Sequence, residues 1–343
     1  MNKLHHKIEY DAVVKFLIEV GERVRDRIRH SLIHQSIAER SSVAEECDED
    51  TIFQIDRDVE SIIEPLFEER AAELGGIVLI AEGIGEDGGV VFPKGTNESD
   101  AALRIIMDPI DGTRGIMYDK RSAFYLAGAA PNTGGVQSLL DVDAAVMVEL
   151  PTSRSYLSDT FWAVRGGGAH RVTRNLFKNE DTQTKIAPSS AKTIIGGFGQ
   201  ISRFFPPAKE ILAKIEDEMV DVILPEKPTG KAVLFNDQYI SSGGQLYELL
   251  MGHDRFIADI RAALYRTLAS RGEWTGMTCH PYDVSAHLIG SEAGIHITNV
   301  NGGELDSPMD TISDADWIGY ANASIREEVE PVLQNILKKY GLI

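Results

Sequence analysis

Two aspartates stand three residues apart in Asp108-Pro109-Ile110-Asp111-Gly112-Thr113, directly after the apolar run Leu103–Met107. At the end of a strand their carboxylates can turn toward one point. Two such acids repel each other unless a cation lies between them. Hard oxygen donors of this kind suit Mg2+. Gly112 and Thr113 follow at once, and their backbone N–H groups can hold phosphate oxygens where a helix or nest starts. Taken alone, the same residues also describe an acidic turn that caps a helix. Three more acids stand at the ends of elements. Glu82 closes the run Ile77–Ala81, and a strand neighbouring Leu103–Met107 would set it beside Asp108. Asp283 lies in His280-Pro281-Tyr282-Asp283-Val284-Ser285-Ala286, and Asp56 precedes the stripe Val59, Ile62, Ile63, Leu66, Phe67. Each is ordinary alone, as an acid favoured at an element end. One shared site explains all of them.

Other chemistries find less support. Gly83-Ile84-Gly85-Glu86-Asp87-Gly88 fits G-x-G-x-x-G after a β-type run. A dinucleotide fold needs a helix to open at that turn. Val90, Val91, Phe92, Pro93 follow instead, and the acids are wrong for a pyrophosphate, so the segment reads as a loop. No G-x-S-x-G occurs, so a hydrolase triad lacks its anchor. His280, His287 and His296 read as structural, because oxygen-rich Mg2+ sites rarely use imidazole. Phosphatases with an aspartyl nucleophile use Asp-x-Asp, two apart; the spacing of three here points to metal ligation.

The elements that must position these residues fall into two groups. Ile8–His34 carries Val13, Phe16, Leu17, Val20, Val24, Ile28 and Leu32 at helical steps. A loop is expected over 36–50, and a second helix from about Asp56, disturbed by Pro65. β-type runs follow at 77–81, 103–107, 124–127, 144–149 and 161–164, as two helices on a mainly antiparallel sheet. After about 184 strands and helices alternate: strands at 193–197, 220–224, 256–260 and 294–298, helices at 208–218, 245–251 and 282–292. A Ser324/Glu327 capping box opens a last helix to about Tyr340, with Pro331 in it. Two domains are expected, 1–190 and 191–343, the second an α/β unit.

The 343 residues are 43% hydrophobic and 25% charged, enough apolar content for a packed core. Lys and Arg number 34 against 53 Asp and Glu, a net charge of -19. That balance disfavours broad binding to nucleic acid or anionic lipid. The two cysteines, Cys47 and Cys279, make no disulfide framework and no Cys-based zinc site. No apolar run approaches a membrane span, and the first ten residues lack a signal-peptide core. A cytoplasmic protein is the expectation.

The Asp108–Thr113 segment resembles the first signature of the inositol monophosphatase superfamily, which includes fructose-1,6-bisphosphatases and adenosine 3′,5′-bisphosphate phosphatases. Ile55–Glu60, Ala81-Glu82, the turn Ala163–Ala169, and Tyr282–Ala286 with Glu292-Ala293-Gly294 resemble further family segments in the same order. The likeness spans about residues 10–310. The chain departs from the family at Gly83 (often a second acid), Gly115 (usually Asn), Tyr282 (usually Trp) and Ile295 (commonly Gly).

The resemblance implies an α-β-α-β-α sandwich of five layers and a Mg2+-dependent phosphomonoesterase. It implies that Glu82, Asp108 and the Ile110 carbonyl hold one Mg2+. Asp108, Asp111 and Asp283 would hold a second, and Glu82 would share a third where one exists. Gly112 and Thr113 would bind phosphate, and Asp56 and Thr113 would position and deprotonate water. Gly243 and Gly244, with Asp283, would line the sugar side. A small sugar or cyclitol phosphate, a homo-oligomer (a dimer above all) and lithium sensitivity are the family's implications. Arg114, Lys120, Arg121, Lys227 and Lys231 read equally as substrate contacts or exposed cations, and Asp254 or Asp259 could meet a substrate hydroxyl. A catalytically silent sugar-phosphate or metal binder on the same scaffold is the reading of another class.

Overall fold

The computed structural model describes residues 8–46, 51–85 and 89–343. Helix α1 (Tyr10–His34) buries its apolar stripe from Val13 to Leu32. Where the polar composition predicts a loop, a short helix α2 (Ile37–Arg40) and an antiparallel pair β1 (Val43–Glu46) and β2 (Thr51–Phe53) form. Ser36 explains the helix: its hydroxyl accepts the Glu39 N–H, and the Glu39 carboxylate accepts the Ser36 N–H at 2.7 Å. Cys47 and residues 86–88 of the glycine-rich loop lie outside the described residues. Helix α3 (Gln54–Arg70) continues through Pro65. Ile55, Val59, Ile63 and Phe67 are buried on both sides of the proline, and the carbonyl it leaves unpaired belongs to the exposed Ser61.

The strands of the first sheet come next. They are β3 (Ile77–Ala81), β4 (Val90–Phe92), β5 (Leu103–Asp111), β6 (Ala123–Pro131), β7 (Ala144–Leu150), β8 (Leu157–Val164), β9 (Ala169–Asn175) and β10 (Glu180–Gln183), with helix α4 (Thr113–Met117) between β5 and β6. Their spatial order is β10-β9-β8-β7-β6-β5-β3-β4, and β3 with β5 is its parallel pair. The second sheet begins with β11 (Phe198–Ile201). Then come α5 (Lys209–Ile223), α6 (Ser242–Leu250), β12 (Asp254–Asp259), α7 (Arg261–Ser270), α8 (His287–Glu292), β13 (His296–Thr298), β14 (Trp317–Tyr320) and α9 (Ala323–Tyr340). Its order is β11-β12-β14-β13, with β11 parallel to β12.

Period-two alternation sorts the strands into layers. Ile77, Leu79, Ile105, Tyr125, Val146 and Val148 pack against α1 and α3. Ile80, Ile106, Phe124, Leu126 and Met147 face the other way, against α6, α8, Ile257 and Trp317. Phe256, Ala258, Ile318 and Tyr320 pack on α5, α7 and α9. The middle cluster spans both faces of the α6 and α8 layer, so the three apolar clusters fill the four interfaces of five layers, α-β-α-β-α, as the fold class required.

The second half corrects several expected boundaries. Residues 193–197 are not a strand; β11 starts at Phe198. The apolar run 220–224 is the last turn of α5, because Ile223 continues the stripe of Leu212, Ile215 and Met219. Helix α7 and strand β14 were not anticipated, being short and flanked by mixed residues. The segment 282–292 is a 3-10 turn, Pro281–Val284, followed by α8. Asn322 rather than Ser324 caps α9, its side chain accepting the Ile325 N–H at 3.1 Å.

Candidate metal centre

The parallel pair β3 and β5 aligns Ala81 with Met107, so the next residues, Glu82 and Asp108, lie side by side at the strand ends. Regular alternation would put Asp108 and Asp111 on opposite faces of β5. They are not opposed, because the register slips: Asp108 pairs with Leu126 and Asp111 with Phe124, three steps against two. The extra residue is a bulge, and it returns Asp111 to the side of Asp108. Pro109 is at home there, since a bulge relieves it of the ladder bond it cannot donate. The 3-10 turn brings in Asp283, whose Oδ2 accepts the His280 N–H at 2.6 Å. One oxygen from each of Asp108, Asp111 and Asp283 lies within 4.8 Å of the others.

Asp108 and Asp111 are buried. The Ile110 N–H donates to Asp108 Oδ1 at 2.8 Å. Asp111 Oδ2 accepts the Ser241 hydroxyl at 2.9 Å and the Gly243 N–H. Burial raises all three acids. Asp108 stands well above the usual carboxylate range, with Glu82, Asp111 and Asp283 adding to desolvation. Asp111 rises to about 8, through desolvation and then Asp283. Asp283 is raised by burial against the pull of His280 and Arg261. Among the described residues no Lys or Arg forms an ion pair with Asp108 or Asp111; Asp283 has His280 Nδ1 at 3.8 Å. The fold therefore supplies Asp108 and Asp111 with no cation that would keep them ionised together with Asp283. Its donors are all carboxylate oxygens, the set a hard divalent cation takes.

The other expected site residues surround this cluster. Glu82 adds its field to Asp108 but stands outside the three-carboxylate group. Thr113 Oγ1 donates to the Ile110 carbonyl at 2.9 Å and reaches Asp56 Oδ1 at 3.3 Å. Asp56, in the first turn of α3, is fixed by the Phe53 N–H at 2.9 Å. Gly112 has φ +95° and heads α4, and a Cβ there would lie 3.1 Å from that of Ser241. Only glycine meets both conditions without strain.

Gly243 and Gly244 are buried, and their N–H groups go to Asp111 and to Ser241 Oγ. A Cβ on Gly243 would lie 2.8 Å from Asp111 Oδ2, and one on Gly244 2.2 Å from the Tyr239 ring. These glycines let the start of α6 close onto Asp111. Ser241, which caps α6 while donating to Asp111, is the functional residue that sequence reasoning missed. Its signal was a Ser at the helix start two residues before the glycines.

The remaining candidates lie elsewhere or are occupied. Arg114 sits 5.6 Å over the Phe53 ring. Arg121 pairs with Asp237 at 2.8 Å, and Lys227 pairs with Asp221. Lys120 and Lys231 are exposed. Asp259 is locked to Arg261 at 2.6 Å, and Asp254 begins the same strand at its far end. Burial lowers His287 to about 4, and its Nδ1 lies 3.2 Å from the Val284 carbonyl, a structural histidine. Two other segments meet through Glu292, whose carboxylate accepts the N–H groups of Gly166 at 2.7 Å and Gly168 at 2.8 Å.

No protein-family model and no curated protein matches the sequence. Solved structures do match the fold. The chain is similar to the extragenic suppressor protein SuhB of Bartonella henselae, with 16% identity, TM-score 0.61, and 94% of this chain and 98% of that one covered. It is similar to the fructose-1,6-bisphosphatase of Leishmania major in holo form, with 13% identity, TM-score 0.63, and 94% of each chain covered. Inositol monophosphatase II of Staphylococcus aureus gives 16% identity, TM-score 0.59, and coverage of 96% and 97%. At such identities the likeness is one of fold, and function must be argued from the site. The chain has the layered fold that inositol monophosphatase and fructose-1,6-bisphosphatase structures share.

Proposed function

We propose that this chain is a Mg2+-dependent phosphomonoesterase acting on a small sugar or cyclitol phosphate. One observation carries the reading: the buried Asp108 and Asp111 of a bulged strand and the half-buried Asp283 bring carboxylate oxygens within 4.8 Å of one another, and among the described residues no Lys or Arg is ion-paired to Asp108 or Asp111. Three lone carboxylates would each rather be protonated, and a divalent cation is the economical way to keep them ionised together. The fold they stand on is that of named phosphatases.

Asp108, Asp111 and Asp283 would hold one Mg2+. Glu82, Asp108 and the Ile110 carbonyl would hold a second, and Glu82 would share a third. When bound, such cations offset the charge of a phosphate dianion, make water more acidic and stabilise a leaving alkoxide. The chain's own residues do the positioning. Ser241 and Gly243 clamp one oxygen of Asp111, leaving the other oxygen to ligate. Ile110 N–H does the same for Asp108. Thr113 Oγ1, its proton directed to Ile110 or Asp56, has lone pairs left to accept from water. Asp56 stands behind it as the proton's destination. Gly112 and Thr113 N–H groups would receive the phosphate, and Asp283 would reach a substrate hydroxyl. Gly243 and Gly244 act through Asp111 and Ser241 in this reading. The assembly would be a homodimer in the cytoplasm.

The test is phosphate release, with and without Mg2+, from inositol 1-phosphate, fructose 1,6-bisphosphate, adenosine 3′,5′-bisphosphate and several sugar monophosphates. One ester hydrolysed far faster than the rest, only with Mg2+, is the expected result. Binding of Mg2+ with no release from any ester would overturn the enzyme reading in favour of a silent binding protein.

A further inference from the structure

A cavity of about 110 Å³ opens at the start of the parallel strands β11 and β12. Asp254 opens β12 and Asp259, near Arg261, closes it, so Asp254 stands at the strand end away from Arg261, while the Tyr239 wall of the cavity backs onto Gly244. Its walls offer acceptors and aromatic rings. Asp254 is 6% exposed, and among the described residues no Lys or Arg pairs with it. Gln200, 1% exposed, hydrogen-bonds Asp254 through its amide, while its Oε1 has no partner. Glu248 is held by His253 Nδ1 at 2.6 Å. Tyr239 and Phe198 supply the rings, and the Tyr239 hydroxyl is committed to the Ser122 carbonyl at 2.9 Å.

A buried acid with no Lys or Arg partner, offset only by a flanking His253 already held by Glu248, and a buried carbonyl without a donor both oppose folding. One ligand relieves both if it brings positive charge and N–H groups together. Aromatic faces favour such a cation further. The chain itself uses this pairing next door: the Arg121 guanidinium bonds Asp237, on the same cavity wall, and lies 5.0 Å over the Tyr239 ring. A bare metal ion fits less well. Among the described residues only Asp108, Asp111 and Asp283 converge as a three-ligand group. We infer that this cavity binds the ammonium head of a small aliphatic amine. Asp254 would accept its charge, Gln200 Oε1 would accept one N–H, and Phe198 and Tyr239 would flank it. Burial, with Glu248 and Asp237, lifts the empty Asp254 to about 7, so a bound ammonium would also keep it ionised.

Calorimetric titration of 1,4-diaminobutane into the full chain tests this, at constant ionic strength with Mg2+ present. Saturable binding is expected, unchanged in Asp108→Asn. It should weaken about tenfold or more in Asp254→Asn, where the charge is gone, and measurably in Phe198→Leu. Phe198 is 44% exposed, so that variant keeps its fold and tests the site independently. Tetramethylammonium, charged but without N–H groups, should bind at least about tenfold more weakly. Absence of saturable binding would overturn the inference. So would loss in Asp108→Asn but not in Asp254→Asn, or equal binding of tetramethylammonium or K+.

Discussion

Two acidic groups gather along strands of the first sheet, the second joined by Asp283 from a 3-10 turn, and they are solved in opposite ways. In one, Glu149 and Asp159 meet between β7 and β8. Asp159 Oδ2 accepts the Arg171 guanidinium at 2.7 Å and the Tyr247 hydroxyl at 3.1 Å, and Oδ1 accepts Thr173 Oγ1 at 2.5 Å. Glu149 accepts the Ser122 hydroxyl at 2.7 Å and the Asp159 N–H at 3.1 Å. The fold brings its own cation to this pair. In the other, Asp108, Asp111 and Asp283 gather with Glu82 beside them, and among the described residues neither Asp108 nor Asp111 has a Lys or Arg in an ion pair. Residue type does not separate the two groups. The difference is that one buried charge is balanced inside the chain and the other is left for something that binds.

The sharpest way to break this contrast is Asp108→Asn. It should lower phosphate release by on the order of a thousandfold or more, since metal charge stabilisation is worth several kcal/mol. The same change should leave the metal-free protein at least as stable as the wild type, because it removes a repelling charge. Near-normal release, or a large loss of metal-free stability, would sink the contrast. Arg171→Met should do the reverse, costing about 3–5 kcal/mol of stability by stranding Asp159 while leaving Mg2+ affinity unchanged. Denaturant unfolding with and without Mg2+ reads both quantities.

Smaller effects sharpen it. Mg2+ at about a hundred times its Kd should add about 2.7 kcal/mol to the wild type and nothing to Asp108→Asn. EDTA should reverse the gain in a thermal scan. The Glu149–Asp159 group should show itself in the pH dependence of stability. Glu149 is raised to about 7, by burial first, with Asp159 adding to it. An acid raised on folding holds its proton more tightly in the native state. Its contribution to stability is therefore present at low pH and lost as pH rises from about 4.5 to about 7. Glu149→Gln should flatten that decline in Tm, and an unchanged pH profile would show that Glu149 is not its source.

Legibility followed whether local spacing or tertiary register brings the residues together. The Asp108–Thr113 run was readable because its bulge, its glycine and its two acids are neighbours. Glu82 was readable as a neighbour of Asp108 once two strands were set side by side. The role of Gly243 was not, since its close approach to Asp111 spans 132 positions. The Glu149–Asp159–Arg171 group was invisible, because it needs the register that sets Asp159 opposite Thr173 and Arg171 opposite Phe161. In the second half, short strands such as β11 and β14 carry too few residues for a period to show.

The sequence by itself determined the helical stripes, the strands β3, β5, β6, β7 and β8 of the first sheet, and the acid-rich turn with its glycine. These follow from covalent spacing and backbone sterics, which act over a few residues. Only the tertiary structure decided that Asp283 joins Asp108 and Asp111, that Ser241 steadies Asp111, and which buried acids have a cation of their own. The first two rest on partners more than a hundred residues away and the third on strand register and burial, and it is the loss of water around a charge, not the residue's type, that sets what the charge requires.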